Sequence, residues 1–171
     1  EILIENDKFD TEPPMDSYPG WAKRMAELQI KAYSKQYNLN SFSIVRPANV
    51  YGPGDNFDPN NAMVIPSLIN KIINANNPVK IWGDGSAIRD FIYSKDVAYG
   101  TILALLNNNT RSYYNLGSGT GISIKQLVDT LNTLIEFEYE FDDSKPSGAP
   151  KRVMDISKAK NELNFSPQTT L

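Results

Sequence analysis

The chain has 171 residues, 40% hydrophobic and 22% charged, with a net charge of −3; this is a globular mixture long enough for one domain with its own core. It contains no Cys and no His, which excludes a disulfide framework, a Cys/His zinc site, a thiol nucleophile and any His-dependent triad built from this chain. No run of Lys or Arg forms a basic stripe and no apolar run approaches the roughly 20 residues that span a bilayer, so neither nucleic acid nor a membrane is an expected partner and the cytoplasm is the expected compartment.

The chain opens at Glu1 without Met and stops just after Pro167-Gln168-Thr169-Thr170. Both ends read as cuts through a longer protein. Apolar residues from Met25 to Tyr33, bounded by Pro19 and by Asn38-Leu39-Asn40, predict a helix from about Pro19 to Tyr37, with Pro in the first turn where its missing N–H is harmless. Phe42 to Val45 is a short apolar strand ending before Pro47. It leads into a polar loop, "RPANVYGPGDNFDPNN", of the kind that carries function at strand ends. Ile65, Leu68, Ile69, Ile72 and Ile73 recur at three and four residues and predict a second helix from about Met63 to Ala75. Val79–Trp82 and Ile88–Tyr93 are extended segments around the Gly-rich turn "GDGSA". Ser94 is placed to cap a helix over Lys95–Leu106, which ends in the turn Asn107-Asn108-Asn109. Tyr113–Leu116 is a strand, and "GSGTGIS" turns it into a helix from Ile124 to Leu134 capped by Ser123. Phe137–Phe141 alternates as a strand with one buried face, "DDSKPSGAP" is a loop, and Ile156–Leu163 is a short helix capped by Asp155 or Ser157. Strands alternating with helices make the class α/β.

Several motifs admit a plain and a functional reading. "LGSGTG" lies between a strand and a helix, where a glycine loop can cradle a phosphate. Gly117, Gly119 and Gly121 do not fit GxGxxG, and a tight turn before a capped helix is the favoured reading. Asp55, Asp58 and their Asn neighbours lack Ca²⁺-loop spacing, so a polar surface loop is favoured and no metal site is expected. Trp82 is either a stacking platform or core, core being the favoured role. Arg89 stands between Ile88 and Phe91 in an apolar strand. It is either a solvated cation or the partner of an anion, for which a phosphate suits its planar fork. Tyr18 and Lys23 stand five residues apart at a helix entrance. Five residues inside a helix turn about 500°, leaving the two side chains roughly 140° apart, whereas a helix beginning at Pro19 would leave the Tyr18 ring free to swing toward Lys23.

Four stretches, "RPANVYGPGDN", "VKIWGDGSAIRDFIYSKDVAYG", "YNLGSGTGISIKQLVDTL" and "PKRVMDISKAKNELNFSP", stand in an order that resembles the C-terminal half of extended short-chain dehydrogenase/reductase proteins. These are the NAD(P)-dependent sugar-nucleotide epimerases, dehydratases and reductases. The resemblance implies that residues 1–171 hold the C-terminal part of a Rossmann-type parallel sheet plus a small α/β substrate-binding subdomain, the glycine-rich NAD(P)-binding half lying upstream. It further implies that NAD or NADP is the cofactor and a nucleotide-diphosphate sugar the substrate. In the family a Tyr phenolate exchanges a proton with a sugar hydroxyl while hydride moves to or from the nicotinamide, and a Lys one turn later supports the phenolate and holds the nicotinamide ribose. Tyr18 and Lys23 match that catalytic pair, with one residue more between them than the family's four-residue spacing; Glu27 matches the acid after the lysine. By the same resemblance Lys23, Pro47 and Ala48 contact the cofactor. Asn49, Lys71, Arg89 and Arg152 bind the substrate diphosphate, and Val64 and Trp82 form the apolar wall around base or sugar. "NVYGPGDNFDPNNAMVIPSLINK" is similar to the GDP-fucose synthase branch, an epimerase that also reduces, but Met63 stands where that branch carries a catalytic His. The expected activity is epimerisation at C4 or C3/C5, with reduction of the GDP-fucose synthase type as the runner-up. A noncatalytic sugar-nucleotide-binding or dimerisation module is the rival from another class. Pairing of the catalytic helix between subunits, common in the family, implies a homo-oligomer.

Overall fold

The computed structural model describes residues 2–5, 13–14, 17–39, 41–74, 77–107 and 112–171. Glu1, Asn40, Ala75, Asn108 and Asn109, on which some of the sequence expectations fall, lie outside the described residues. In chain order the elements are β1 (Ile2–Leu3), α1 (Tyr18–Tyr37), β2 (Ser43–Pro47), β3 (Asn49–Tyr51), α2 (Val64–Asn74), β4 (Val79–Trp82), β5 (Ile88–Tyr93), α3 (Ser94–Leu106), β6 (Ser112–Leu116), β7 (Gly121–Ser123), α4 (Ile124–Leu134), β8 (Tyr139–Asp142), β9 (Lys151–Met154) and α5 (Ser157–Leu163).

The principal sheet runs β1-β9-β5-β3, with β7 also on β5; β2 pairs with β6 and β4 with β8. Every pairing is parallel except β5 with β7. Parallel pairs need long crossovers, which is why strands and helices alternate along the sequence. The extended segments on either side of "GDGSA" do not pair with one another. Val79–Trp82 aligns with β8, whereas β5 aligns with β3, β7 and β9.

β5 separates two hydrophobic cores. Phe91 packs with Ile65, Leu68, Val79, Ile81, Leu127, Val128 and Phe137, while its neighbour Ile92 packs with Ala104, Tyr114, Leu116, Ala159, Leu163 and Phe165. Successive strand residues face opposite ways, so one strand serves both cores. Each such buried apolar side chain contributes about 1.5–3 kcal/mol.

Helix ends follow local chemistry. Ser123 caps α4: its hydroxyl accepts from the Gln126 N–H, and the Gln126 side chain accepts from the Ser123 N–H, a reciprocal capping box. Ser94 is the first residue of α3 rather than its cap; Tyr93 occupies the cap position without a side-chain bond. α5 begins at Ser157, one residue later than expected, and Asp155 accepts from the Ser157 N–H at 2.8 Å. α1 buries Ser34 alone among its residues. Trp21, Met25, Leu28, Ile30, Tyr33 and Tyr37 are exposed along it. What ties this helix to β2 is a two-pronged ion pair, Arg46 Nε to Glu27 Oε1 at 2.8 Å and Arg46 Nη2 to Glu27 Oε2 at 2.7 Å. The fork geometry of a guanidinium on a carboxylate fixes orientation as well as distance.

Candidate functional site

A cavity of about 560 Å³ opens between α2, β4, β5 and the loop before β9, and its lining includes Asn49, Val64, Lys71, Trp82, Arg89 and Arg152. These residues come from β3, α2, β4, β5 and β9, five elements spread over a hundred residues of sequence. No Asp or Glu is among its described lining residues. A second cavity of about 600 Å³, near Ile122, Gln126 and Leu171, contains Asp129 and no Lys or Arg. The first hollow thus joins three cations to apolar Val64, Leu68 and Ile81, whereas a smaller hollow on α1 carries Lys31 and Lys35 with one apolar residue, Phe42. A site of mixed apolar wall and convergent cations suits a ligand with an anionic centre and a ring or base attached.

The sheet itself sets the cations side by side. Arg89 and Arg152 are register partners on the parallel strands β5 and β9. Burial, and then the nearby Arg152 charge, lower the pKa of Arg89 from its ordinary value, so the fold disfavours a charge that the guanidinium still carries at neutral pH. An anion between the two strands reverses that penalty. Arg89 is steered by neutral acceptors: Nη1 donates to the carbonyls of Ile88 at 2.8 Å and Ala149 at 2.6 Å, and Nη2 approaches the Ser147 carbonyl at 3.4 Å. Lys71 Nζ donates to the Lys80 carbonyl at 3.0 Å and lies 5.9 Å from the centre of the Trp82 ring. Trp82 is 60% exposed, so it is a rim residue and not the core residue favoured from sequence. Its place in a two-residue alternation explains this, since Val79 and Ile81 turn inward while Lys80 and Trp82 turn out. Asn49 donates from Nδ2 to the Asp90 carbonyl at 2.7 Å, joining β3 to β5 across the cavity floor.

Tyr18, Lys23, Pro47 and Ala48 do not line this cavity. Tyr18 is 86% exposed and is the first residue of α1, with Pro19 behind it and Ser17 at φ 54° before it. The helix thus starts one residue earlier than the entrance that would have freed the ring. With both residues inside it, the rings and ammonium of Tyr18 and Lys23 leave the axis about 140° apart. Lys23 is exposed. Pro47 ends β2 and Ala48 follows it, with the Ala48 N–H donating to the Leu116 carbonyl of β6 at 2.8 Å. They sit at the carboxyl end of two parallel strands, where α/β sheets place their ligands.

The two ambiguous polar motifs take their plain forms. In "LGSGTG" the N–H groups of Ser118 and Gly119 donate to the Asp90 carboxylate, so donors that could have cradled a phosphate are already engaged. Asp58 accepts from the Asn60 N–H and from the side chains of Asn60 and Asn61, a turn held by its own side chains. Among the described residues no three His, Cys, Asp or Glu gather to hold a metal. Sequence reasoning missed Asp90, Arg46 and the Ser147–Ala149 carbonyls. Arg46 and Asp90 carried a usable signal, a charge inside an apolar strand; the carbonyls carried none.

Known proteins resemble this chain in sequence and in fold. The family model described as "NAD dependent epimerase/dehydratase family" matches residues 3–117. GDP-L-fucose synthase of Sinorhizobium fredii is 36% identical over 164 residues, covering 92% of this chain and 52% of the relative. A Streptomyces dTDP-4-dehydro-6-deoxy-D-allose reductase is 34% identical over 149 residues, 86% and 45% of the two chains. Among solved structures, the UDP-glucuronic acid 4-epimerase from Bacillus cereus in complex with NAD superposes with a TM-score of 0.79 at 28% identity, covering 99% of this chain and 52% of that one. The chain spans about half the length of the curated relatives it matches. With the family model covering most of the sequence and a parallel sheet bearing the cation-lined cavity, the chain belongs to the NAD-dependent epimerase/dehydratase family.

Proposed function

We propose that this chain supplies the nucleotide-diphosphate-sugar site and the Tyr/Lys helix of an NAD(P)-dependent sugar-nucleotide epimerase/dehydratase. The observation that carries the reading is the convergence of Lys71, Arg89 and Arg152 on one cavity whose described lining holds no carboxylate. Arg89 and Arg152 take the diphosphate between adjacent strands, Lys71 adds a third charge from α2, and Val64 and Trp82 flank the sugar or base. Asn49 completes the floor. NAD or NADP, when bound, supplies the hydride acceptor and donor. Lys23, Pro47 and Ala48 hold its nicotinamide end. Tyr18 takes the proton of the sugar hydroxyl as hydride leaves that carbon, and returns it in the reverse step. Its ring reaches the sugar by loosening the first helical turn, where Ser17 is already non-helical and Pro19 has no N–H to hold.

The test is calorimetric titration of the chain with UDP-glucose, GDP-mannose and dTDP-glucose, followed by conversion assays of the whole enzyme with NAD and NADP. Binding of at least one, lost in Arg89→Met, supports the site; binding of none refutes it. Conversion abolished by Lys23→Met and Tyr18→Phe supports the catalytic helix, and an unaffected Tyr18→Phe enzyme refutes that tyrosine. Binding without conversion identifies a noncatalytic binding module.

The reductive reading is favoured by the fucose synthase and allose reductase relatives. Met63 lines the cavity and can neither donate nor accept a proton, which favours chemistry confined to one carbon. NADPH consumption with a 4-dehydro-6-deoxy sugar nucleotide decides between reduction and epimerisation. Self-association through the exposed apolar residues of α1 belongs to the same proposal, and a monomer in light scattering refutes it. The compartment proposed is the cytoplasm, with which a Cys-free sequence is compatible.

A further inference from the structure

The Asp90 side chain is 1% exposed and lies on the opposite face of β5 from Arg89. Its carboxylate takes four donors from two other parts of the chain. Oδ1 accepts from the Ser118 N–H at 2.8 Å and the Ser118 hydroxyl at 2.6 Å; Oδ2 accepts from the Gly119 N–H at 3.3 Å and the Met154 N–H at 3.2 Å. A Cβ on Gly117 would collide with Oδ2, so the loop closes on the carboxylate because that position is glycine. Backbone pairing between β5 and β9 runs only through Ile88↔Lys151 and Arg89↔Arg152. Beyond that point β9 moves over to β1, and the bond from Met154 to Asp90 continues the tie to β5. Those short two residue pairs are also where two like charges are held together.

We infer that Asp90 is a positioning residue for the anion site: through the Met154 N–H it clamps β9 against β5 and keeps Arg152 beside Arg89 despite their repulsion. The inference rests on the proposed diphosphate site. Asp90 touches no ligand. It acts from the back of the strand whose front carries Arg89.

Asp90→Asn tests this with little change of volume. With Oδ1 kept toward Ser118, the new amide confronts the Gly119 and Met154 N–H groups, donor against donor, and releases the β9 clamp. Ser118→Ala is the control, since it removes one donor at Oδ1 and leaves the bond to Met154. Affinity of the chain for UDP and GDP is read by calorimetry, and exchange of the Val153 and Met154 amides by hydrogen exchange. The expected result is about tenfold weaker nucleotide binding and about tenfold faster exchange in Asp90→Asn, with less than about threefold change of either in Ser118→Ala. Unchanged affinity in Asp90→Asn overturns the inference, as does equal loss in both variants, which would mark general destabilisation. If the unmodified chain binds neither nucleotide, the diphosphate reading is what fails. Asp90 is then judged by exchange alone, where unchanged protection of Met154 overturns the clamp and faster exchange supports it.

Discussion

Replacing Arg89 with Met removes the guanidinium while keeping much of the apolar stem. Arg89 is fixed by the Ile88 and Ala149 carbonyls, so its remaining donors are presented to a ligand with little further ordering. A charge-assisted hydrogen bond contributes about 1.5–3 kcal/mol. A fork that makes two to a phosphate, discounted for a site open to water, is worth roughly 3 kcal/mol, or about 150-fold in Kd. Lys71 differs: its ammonium donates to the Lys80 carbonyl and lies over the Trp82 ring, and as a hydrated point charge it is worth roughly 1 kcal/mol, about fivefold. Arg89→Lys, which keeps charge and loses the fork, falls between the two. Calorimetric titration with UDP at constant ionic strength measures all three. A loss under about threefold in Arg89→Met, or Lys71→Met as costly as Arg89→Met, refutes the claim that the geometry of β5 and β9 makes the anion site.

Glu27→Gln breaks the two-pronged pair with Arg46, whose side chains are 12% and 23% exposed; unfolding free energy should fall by about 2 kcal/mol in denaturant titration, with faster hydrogen exchange along α1. Ser123→Ala removes the donor-satisfying hydroxyl of the α4 capping box and should lower stability by about 1 kcal/mol, with no change in nucleotide affinity. Asp155 is held below its ordinary 3.8 by the Ser157 hydroxyl and N–H, and Asp129 likewise by bonds from Lys125 and Tyr139. A lowered carboxylate pKa adds stability above the unfolded value that is lost as pH falls through the folded one. The melting temperature should therefore drop below about pH 4, with a shallower drop in Asp155→Asn; an identical acid profile refutes the assignment.

Helices were legible because their periodicity and caps are local. Ile65 to Ile73 and the Ser123–Gln126 box are written within one or two turns of sequence. Strand partners were not, because nothing in Val79–Trp82 names Tyr139–Asp142 sixty residues away. The three-residue strands β3 and β7 were hidden in stretches read as a loop and a turn, and the four-residue β9 in a stretch given no element; each is extended because β5, or β1 in part, offers it a ladder. Arg89 was marked by its place in an apolar strand, but the cation cluster emerged only through resemblance, since Lys71 and Arg152 are individually ordinary. Asp90 carried only the signal of a charge in an apolar strand, and its meaning lies in donors 28 and 64 residues away. The Tyr18 spacing was legible, but the first turn of α1 had to be seen before the helix start could be fixed.

Four consecutive residues of β5 have four separate surroundings: Arg89 lines the cation-bearing cavity, Asp90 accepts from the Met154 N–H, and Phe91 lies in one core and Ile92 in the other. Inserting one residue ahead of Ile88 would exchange every face assignment at once, putting the Asp90 carboxylate in the place of Phe91 in one core and Ile88 in the place of the arginine. The segment between Pro53 and Ala62 has exposed residues and turns held by their own side chains, so an added residue costs little more than its closure entropy. Length variation in this chain is therefore tolerated at the mouth of the cavity and forbidden in its wall, and libraries meant to change its ligand should vary the loop while leaving β5 intact.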